Sequence, residues 1–363
     1  MTIPTRHAAL LVLGLVAATG TAAAAGFSQD HAIAADALTV LDLVGEIRVE
    51  PATGDRFEIH VAVQGEDASP ELIQIELKEG REAVLEVRFP IDEHRSYVYP
   101  PLGSGSETTI WQPDQESDGG WWSKVWRDLG GEKVTIRGAG RGLEVWADVT
   151  VRVPAGREAS VYLGAGEIGA HGVDAALRLD THSGPVTVVG HRGDLVCDTG
   201  SGTVEVSDTD GPLLVDTGSG AVTVANQRGG PLKVDTGSGH VDIEGADTAD
   251  LRVDTGSGGV TARRIKTDQA RLDTGSGAVE LQLDRMGVGS FVIDTGSGGV
   301  ELLLPGDASA TITVDTGSGR IRADVADAEV LHKDEGELKL RVGAGAATVV
   351  VDTGSGGVTI ANR

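Results

Sequence analysis

The sequence predicts an all-β protein: a parallel β-solenoid of about 18–21 residues per rung, preceded by an irregular N-terminal β region. Three observations carry this. Asp-Thr-Gly-Ser-Gly begins at Asp198, Asp216, Asp235, Asp254, Asp273, Asp294, Asp315 and Asp352, with the near-copy Asp-Thr-His-Ser-Gly at Asp180. Apolar residues alternate with polar ones on both sides of each copy, which is the two-residue period of a half-buried strand. No helical periodicity in this half could supply a layer to cover the strands, so the sheet must coil and cover itself.

Before each turn the alternation reads Leu213 and Val215, Leu232 and Val234, or Leu251 and Val253, with Lys233 and Arg252 between them. After it come Val222 and Val224 or Val241 and Ile243, around outward Thr223 and Asp242. Each period therefore holds two short strands. An antiparallel meander of hairpins is the alternative, but it leaves one apolar face open. The 37-residue gap between Asp315 and Asp352 is twice a normal interval, and Asp334-Glu335-Gly336 falls near its middle, so one degenerate copy is expected there. In the turn, Asp is expected to accept hydrogen bonds from backbone N–H groups two or three residues on, and the glycines to supply positive φ. The 53 glycines, without a Gly-X-Y period, fit such a role.

Upstream, residues 26–154 are read as the N-terminal β region and residues 155–363 as the repeat domain. Strand patterns at Thr39 to Val49, Phe57 to Val63, Leu72 to Lys78, Ala83 to Phe89, Val134 to Arg137 and Leu143 to Val153 lack the repeated turn, so this region is either irregular solenoid or a cap against edge-to-edge association. A Trp- and Gly-rich insertion at about 94–131 holds Trp111, Trp121, Trp122 and Trp126. The apolar spacing from Trp121 to Leu129 fits two turns of amphipathic helix, either plugging the solenoid end or offering an aromatic surface to a glycan or protein ligand.

Residues 1–25 read as a signal peptide, with Arg6, an apolar stretch from Ala8 to Ala18 and Ala23-Ala24-Ala25 before Gly26. An exported protein in the periplasm, secreted or at the cell surface is expected, with no transmembrane segment after cleavage. The formal charge of −25 argues against nucleic acid and anionic lipid as partners and favours cations or basic ones. A lone cysteine, Cys197, takes an inward apolar place in its copy, which excludes a disulfide framework.

No catalytic, cofactor-binding or metal-binding residue is identified. Asp-Thr-Gly-Ser also occurs in pepsin-like proteases, but there two copies face one another across a cleft, whereas these line one edge of a rod. Outward Glu205, Asp242, Glu280, Glu301 and Arg322 could serve a polysaccharide-active β-helix enzyme, yet rungs this short leave little chain for cleft-building loops. The stacked aspartates Asp180, Asp198, Asp216, Asp235, Asp254, Asp273, Asp294, Asp315 and Asp352 could attract Ca²⁺, although the calcium β-roll pattern is missing. His171, His182 and His191 lie in adjacent rungs and are read as surface residues in preference to metal ligands. Thr follows Asp in every copy, but a threonine in a turn does not make the flat exposed ladder of ice-binding solenoids.

With Val44-Gly45-Glu46-Ile47, the segment Val151-Arg152-Val153-Pro154-Ala155-Gly156 and the tandem Asp-Thr-Gly-Ser-Gly strands, the chain resembles the bacterial putative-adhesin, or toastrack, family. The resemblance implies a non-enzymatic β-solenoid with a binding or structural role at the cell envelope, and some relatives act as envelope-stress or signalling accessories. It supplies no catalytic residue. The Trp-rich insertion departs from the family pattern.

Overall fold

The computed structural model describes residues 26–110 and 133–363. Among these, 26 strands join one coiled sheet, 4 form a second small sheet, and there is no α-helix. The four tryptophans singled out above lie outside the described residues.

From Glu158–His171 onward each period contributes one strand to each of two faces. The Asp-Thr strands pair in parallel and in register, Leu213 with Leu232, Val215 with Val234 and Asp216 with Asp235, and the pattern repeats rung after rung. The strands after the turn stack likewise, Val222 on Val241 and Val224 on Ile243. Both apolar sets point inward and form one continuous core. A third, narrower edge runs along single-residue bridges linking Asp174, Arg192, Asp210, Arg228 and Asp247. At the corner leading to it, Gly190, Asp208, Asn226, Gly245 and Arg264 all have left-handed φ. The recurrent Gly, Asp and Asn there suit that conformation, and Arg264 tolerates it as an isolated exception.

The turn is built differently from the expected one. Thr, not Asp, caps it: Thr236 Oγ1 accepts the Gly239 N–H at 3.0 Å and donates to the Gly220 carbonyl of the preceding rung at 3.4 Å. The same pair of bonds recurs at Thr217, Thr255, Thr274, Thr295, Thr316 and Thr353. These threonines end the strand and face inward, almost fully buried, so their ladder lies inside the rod. The alternation explains why: with Leu232 and Val234 inward, the period of two sends Asp235 out and Thr236 in.

The second glycine of each turn is required by proximity. From Gly202 onward these glycines are outside the left-handed region, yet a Cβ at any of them would overlap the carbonyl oxygen of the corresponding glycine one rung below: Gly220 on Gly202, Gly239 on Gly220, Gly258 on Gly239. The column starts earlier than the repeat motif. Leu41-Asp42-Leu43-Val44-Gly45 and Tyr162-Leu163-Gly164-Ala165-Gly166 occupy the turn position, because Ala37–Pro51 stacks in parallel along the whole of Glu158–His171. Gly166 then sits on Gly45 and Gly184 on Gly166. Phe27–Ile33 and residues between these two segments build the N-terminal cap. Phe57–Gln64 runs antiparallel between Phe27–Ile33 and Trp146–Val153, the hairpin Gln74–Lys78 and Glu82–Arg88 extends the other face, and the small sheet sits alongside.

At the other end the rung order departs from the chain order. Ala347–Thr353 pairs with Ser290–Thr295 on one side and with Ala310–Thr316 on the other, while Val358–Asn362 lies between Val300–Leu304 and Ile321–Asp324. The last copy of the motif is thus inserted beneath the copy that precedes it, and Asp352 stacks between Asp294 and Asp315. The degenerate copy expected at Asp334 is instead the tip of an antiparallel hairpin, Glu329–Lys333 and Glu337–Val342, whose second strand caps Ala310–Thr316. Gly336 has φ +82, the tight reversal a hairpin needs.

Three variants test this account by urea unfolding. Gly239→Ala is expected to cost about 3 kcal/mol through forced separation of the rungs. Gly306→Ala, where a Cβ meets nothing within 4 Å, should stay within about 0.5 kcal/mol of the parent. Thr236→Val, which leaves the Gly239 N–H and the Gly220 carbonyl without their shared partner, is expected to cost about 2 kcal/mol.

Candidate functional site

The most regular chemical feature is the aspartate column. In spatial order it runs Asp180, Asp198, Asp216, Asp235, Asp254, Asp273, Asp294, Asp352 and Asp315, each on its neighbour in register. Its lower end is charge-compensated: Arg178 lies 3.6 Å from Asp180 and 3.4 Å from Asp198. Arg271 pairs with Asp273 at 2.8 Å. Asp216, Asp235, Asp254, Asp294, Asp315 and Asp352 make no ion pair among the described residues. Partial burial, and after it the charge of stacked neighbours, holds the carboxyls of Asp198, Asp216, Asp235, Asp254 and Asp294 above their ordinary range.

The column offers a line of single carboxylates and no cage. Among the described residues no three His, Cys, Asp or Glu side chains come together in a way that could hold a metal ion. The three histidines do not converge on one either. His171 is exposed and His182 half-buried, but His191 is interior at 2 % exposure, which corrects its reading as a surface residue. It follows Val173 and precedes Thr209 and Gln227 in the inward positions beside the third edge, a place where the core admits polar side chains. Burial lowers its pKa, and neither ring nitrogen has a hydrogen-bond partner. Cys197 stacks between Leu179 and Val215, fully buried, and its thiol is pushed up to about 12 by burial, so it stays protonated and unreactive.

Two further groups were not singled out from the sequence. On the third edge, Arg192 meets Asp174 at 3.4 Å and Arg228 meets Asp210 at 3.3 Å, after which Asp247 is shared by Lys266 and Arg285. This ladder alternates sign where the aspartate column does not, and its signal was a charge of changing sign six or seven residues before successive motif aspartates. The second group is Asp42, which takes the inward place that Thr fills in later turns. Both of its carboxylate oxygens lack a partner, and burial, with Asp148 nearby, holds its pKa well above the ordinary value. Asp148 is itself tied to the Glu46 N–H at 3.0 Å and to the Gln64 amide. Aligning Leu41-Asp42-Leu43-Val44-Gly45 with the motif would have exposed it. The outward charges weighed for an enzyme are partly spent on neighbours: Glu280 accepts hydrogen bonds from Nε and Nη2 of Arg263, at 2.7 and 2.6 Å.

A family model described as Toastrack DUF4097 matches residues 147–361. Among solved structures, a putative cell adhesion protein from Clostridium sporogenes is similar at 10% identity over 93% of this chain and 100% of its own, with a TM-score of 0.25. A putative adhesin from Bacteroides fragilis is similar at 11% identity over 93% and 97%, with a TM-score of 0.35. No curated protein matches the sequence.

The raised carboxyl groups fix a sign. A pKa raised on folding means that the folded state takes up protons first, so the destabilisation is present above the folded pKa and is relieved as pH falls through it. Asp235→Asn is therefore expected to stabilise the protein at neutral pH by about 0.3 kcal/mol, a small figure because the side chain is solvent-screened. The gain should vanish on acidification through the folded pKa, which lies above 3.8, in thermal melts followed by circular dichroism.

Proposed function

Because the chain belongs to the Toastrack DUF4097 family, we propose that it is an exported, non-enzymatic, adhesin-like β-solenoid with a binding or structural role at the cell envelope. The observation that carries this reading is the in-register stack of the Asp-Thr strands, which presents equivalent outward positions at rung intervals of about 4.8 Å along that face. Such a surface suits a repetitive ligand, such as a glycan or an extended protein, because each weak contact is repeated along the rod. The groups whose ionisation is most strongly displaced, Asp42, Tyr97, Tyr99 and Cys197, are interior side chains shifted chiefly by burial. That pattern belongs to a packed core more than to a nucleophile held beside its base.

The aspartate column gives the surface its sign. With a formal charge of −25, the rod should draw cationic ligands and repel polyanions, and salt should weaken either effect. Calcium would act here as a screening counter-ion shared between rungs. The Trp-rich insertion is the candidate recognition element, since flat aromatic faces stack on sugar rings.

The test is an array of bacterial and host glycans probed with the protein lacking residues 1–25, with and without Ca²⁺, beside a Trp121→Ala/Trp122→Ala variant. Selective glycan binding that drops at least tenfold in the variant is the expected outcome. Absence of binding in both conditions would replace the adhesive reading with a scaffold or signalling role.

A further inference from the structure

At the C-terminal end the two faces of the rod stop at different heights. The second face ends at Ile321–Asp324, which pairs only with Val358–Asn362 among the described residues, so its outer backbone edge has no partner strand. The first face continues past that level, because Glu337–Val342 adds to Ala310–Thr316 and Glu329–Lys333 adds to it in turn. The step between them is a half-open groove of about 290 Å³. Its floor is the open end of the core, Ile321 and Ala323, which continue the inward column of Val358 and Ile360. Its wall is the inner side of the hairpin, with Leu338, Leu340 and Val330, and Val330 is 58% exposed.

We propose that this groove is a strand-acceptor site for an extended segment of another protein, one with apolar side chains at alternate positions and basic side chains between them. Three features set that chemistry. An open strand edge presents N–H and C=O groups at strand spacing, which an extended polypeptide satisfies and a glycan does not. The apolar floor and wall lie on one side of the incoming strand, so only every second side chain enters them. The charged residues lining the groove are Asp334, Glu337 and one lysine, Lys333, and Glu335 adds a further carboxylate at the hairpin tip. Glu329 is paired with Arg341 and Glu337 lies 3.5 Å from His332, but Asp324, Asp327, Asp334 and Glu335 have no ion-pair partner among the described residues. This site goes beyond the adhesive reading, because strand capture at the rod's end needs neither the outward faces nor the Trp-rich insertion.

The probe is a fluorescein-labelled octapeptide of alternating Lys and Val, titrated into the full chain and followed by fluorescence anisotropy. Saturable binding is expected, weakened at least tenfold when Glu replaces Lys in the peptide or when its alternate backbone amides are N-methylated. Val330→Asp should weaken binding at least tenfold with an unchanged melting temperature, since Val330 is largely exposed. Asp334→Lys/Glu335→Lys should shift the preference toward the Glu peptide, which a merely structural role of these residues would not do. Equal binding of the Lys and Glu peptides, or binding untouched by Val330→Asp, overturns the proposal. So does sedimentation velocity showing that the free protein forms a dimer which Val330→Asp dissolves, because the occupant is then a second copy.

Discussion

Everything in this rod depends on one close approach: at every turn the α-carbon of a glycine rests against the carbonyl of the glycine one rung below. Nothing larger fits, so the distance between rungs at the corner is set by backbone alone. Parallel pairing on both faces then has a common origin, and a slip by one residue would turn every apolar side chain outward. The threonine hydroxyl secures the same point, receiving an N–H from its own turn and donating to the carbonyl below. Two contacts that hardly vary in composition thereby allow the rest of each rung to vary, and the outward positions accept Lys, Arg, Leu, Val or Thr without disturbing the stack.

The charged columns show what such freedom permits. On the third edge the repeating position alternates in sign, and neighbouring rungs attract. On the aspartate face it does not alternate, and partial burial, followed by the charge of stacked neighbours, raises the pKa of several of the carboxyls. The difference is physical permission: a partly solvated column at rung spacing costs little per neighbour, an amount the hydrogen-bond ladder beneath it can absorb. Inside the rod the tolerance is lower, which makes Asp42 and the His191, Thr209 and Gln227 series exceptional among its interior side chains.

Fold class, strand positions and the inward places of Cys197 and its neighbours were legible because period-two alternation and a fixed interval are local signals. The roles within the turn were not. Asp and Thr are adjacent and both can cap a turn, and only the phase of the preceding strand, Leu232 and Val234 inward, decides which one faces the backbone below. Glycine likewise serves either positive φ or tight approach, and the sequence does not distinguish the two. The hairpin at Asp334 was misread because its spacing matched the repeat while its side chains did not. Pairing partners distant in sequence, such as Ala37–Pro51 with Glu158–His171, leave no local trace, so the first rung was read as strand with irregular solenoid and cap left as alternatives.

The insertion of the final segment between two earlier rungs also bears on the order of events. A solenoid that grew by simple addition could close each rung as the chain emerged. Here the rung at Ala310–Thr316 and Ile321–Asp324 cannot take its native neighbours until residues 347–362 have been made, because Ala347–Thr353 and Val358–Asn362 must lie beneath it. Closure of that rung therefore waits on strands made after it. Those later strands become interior ones, paired on both sides, so this part of the stack cannot assemble in the order in which the chain emerges.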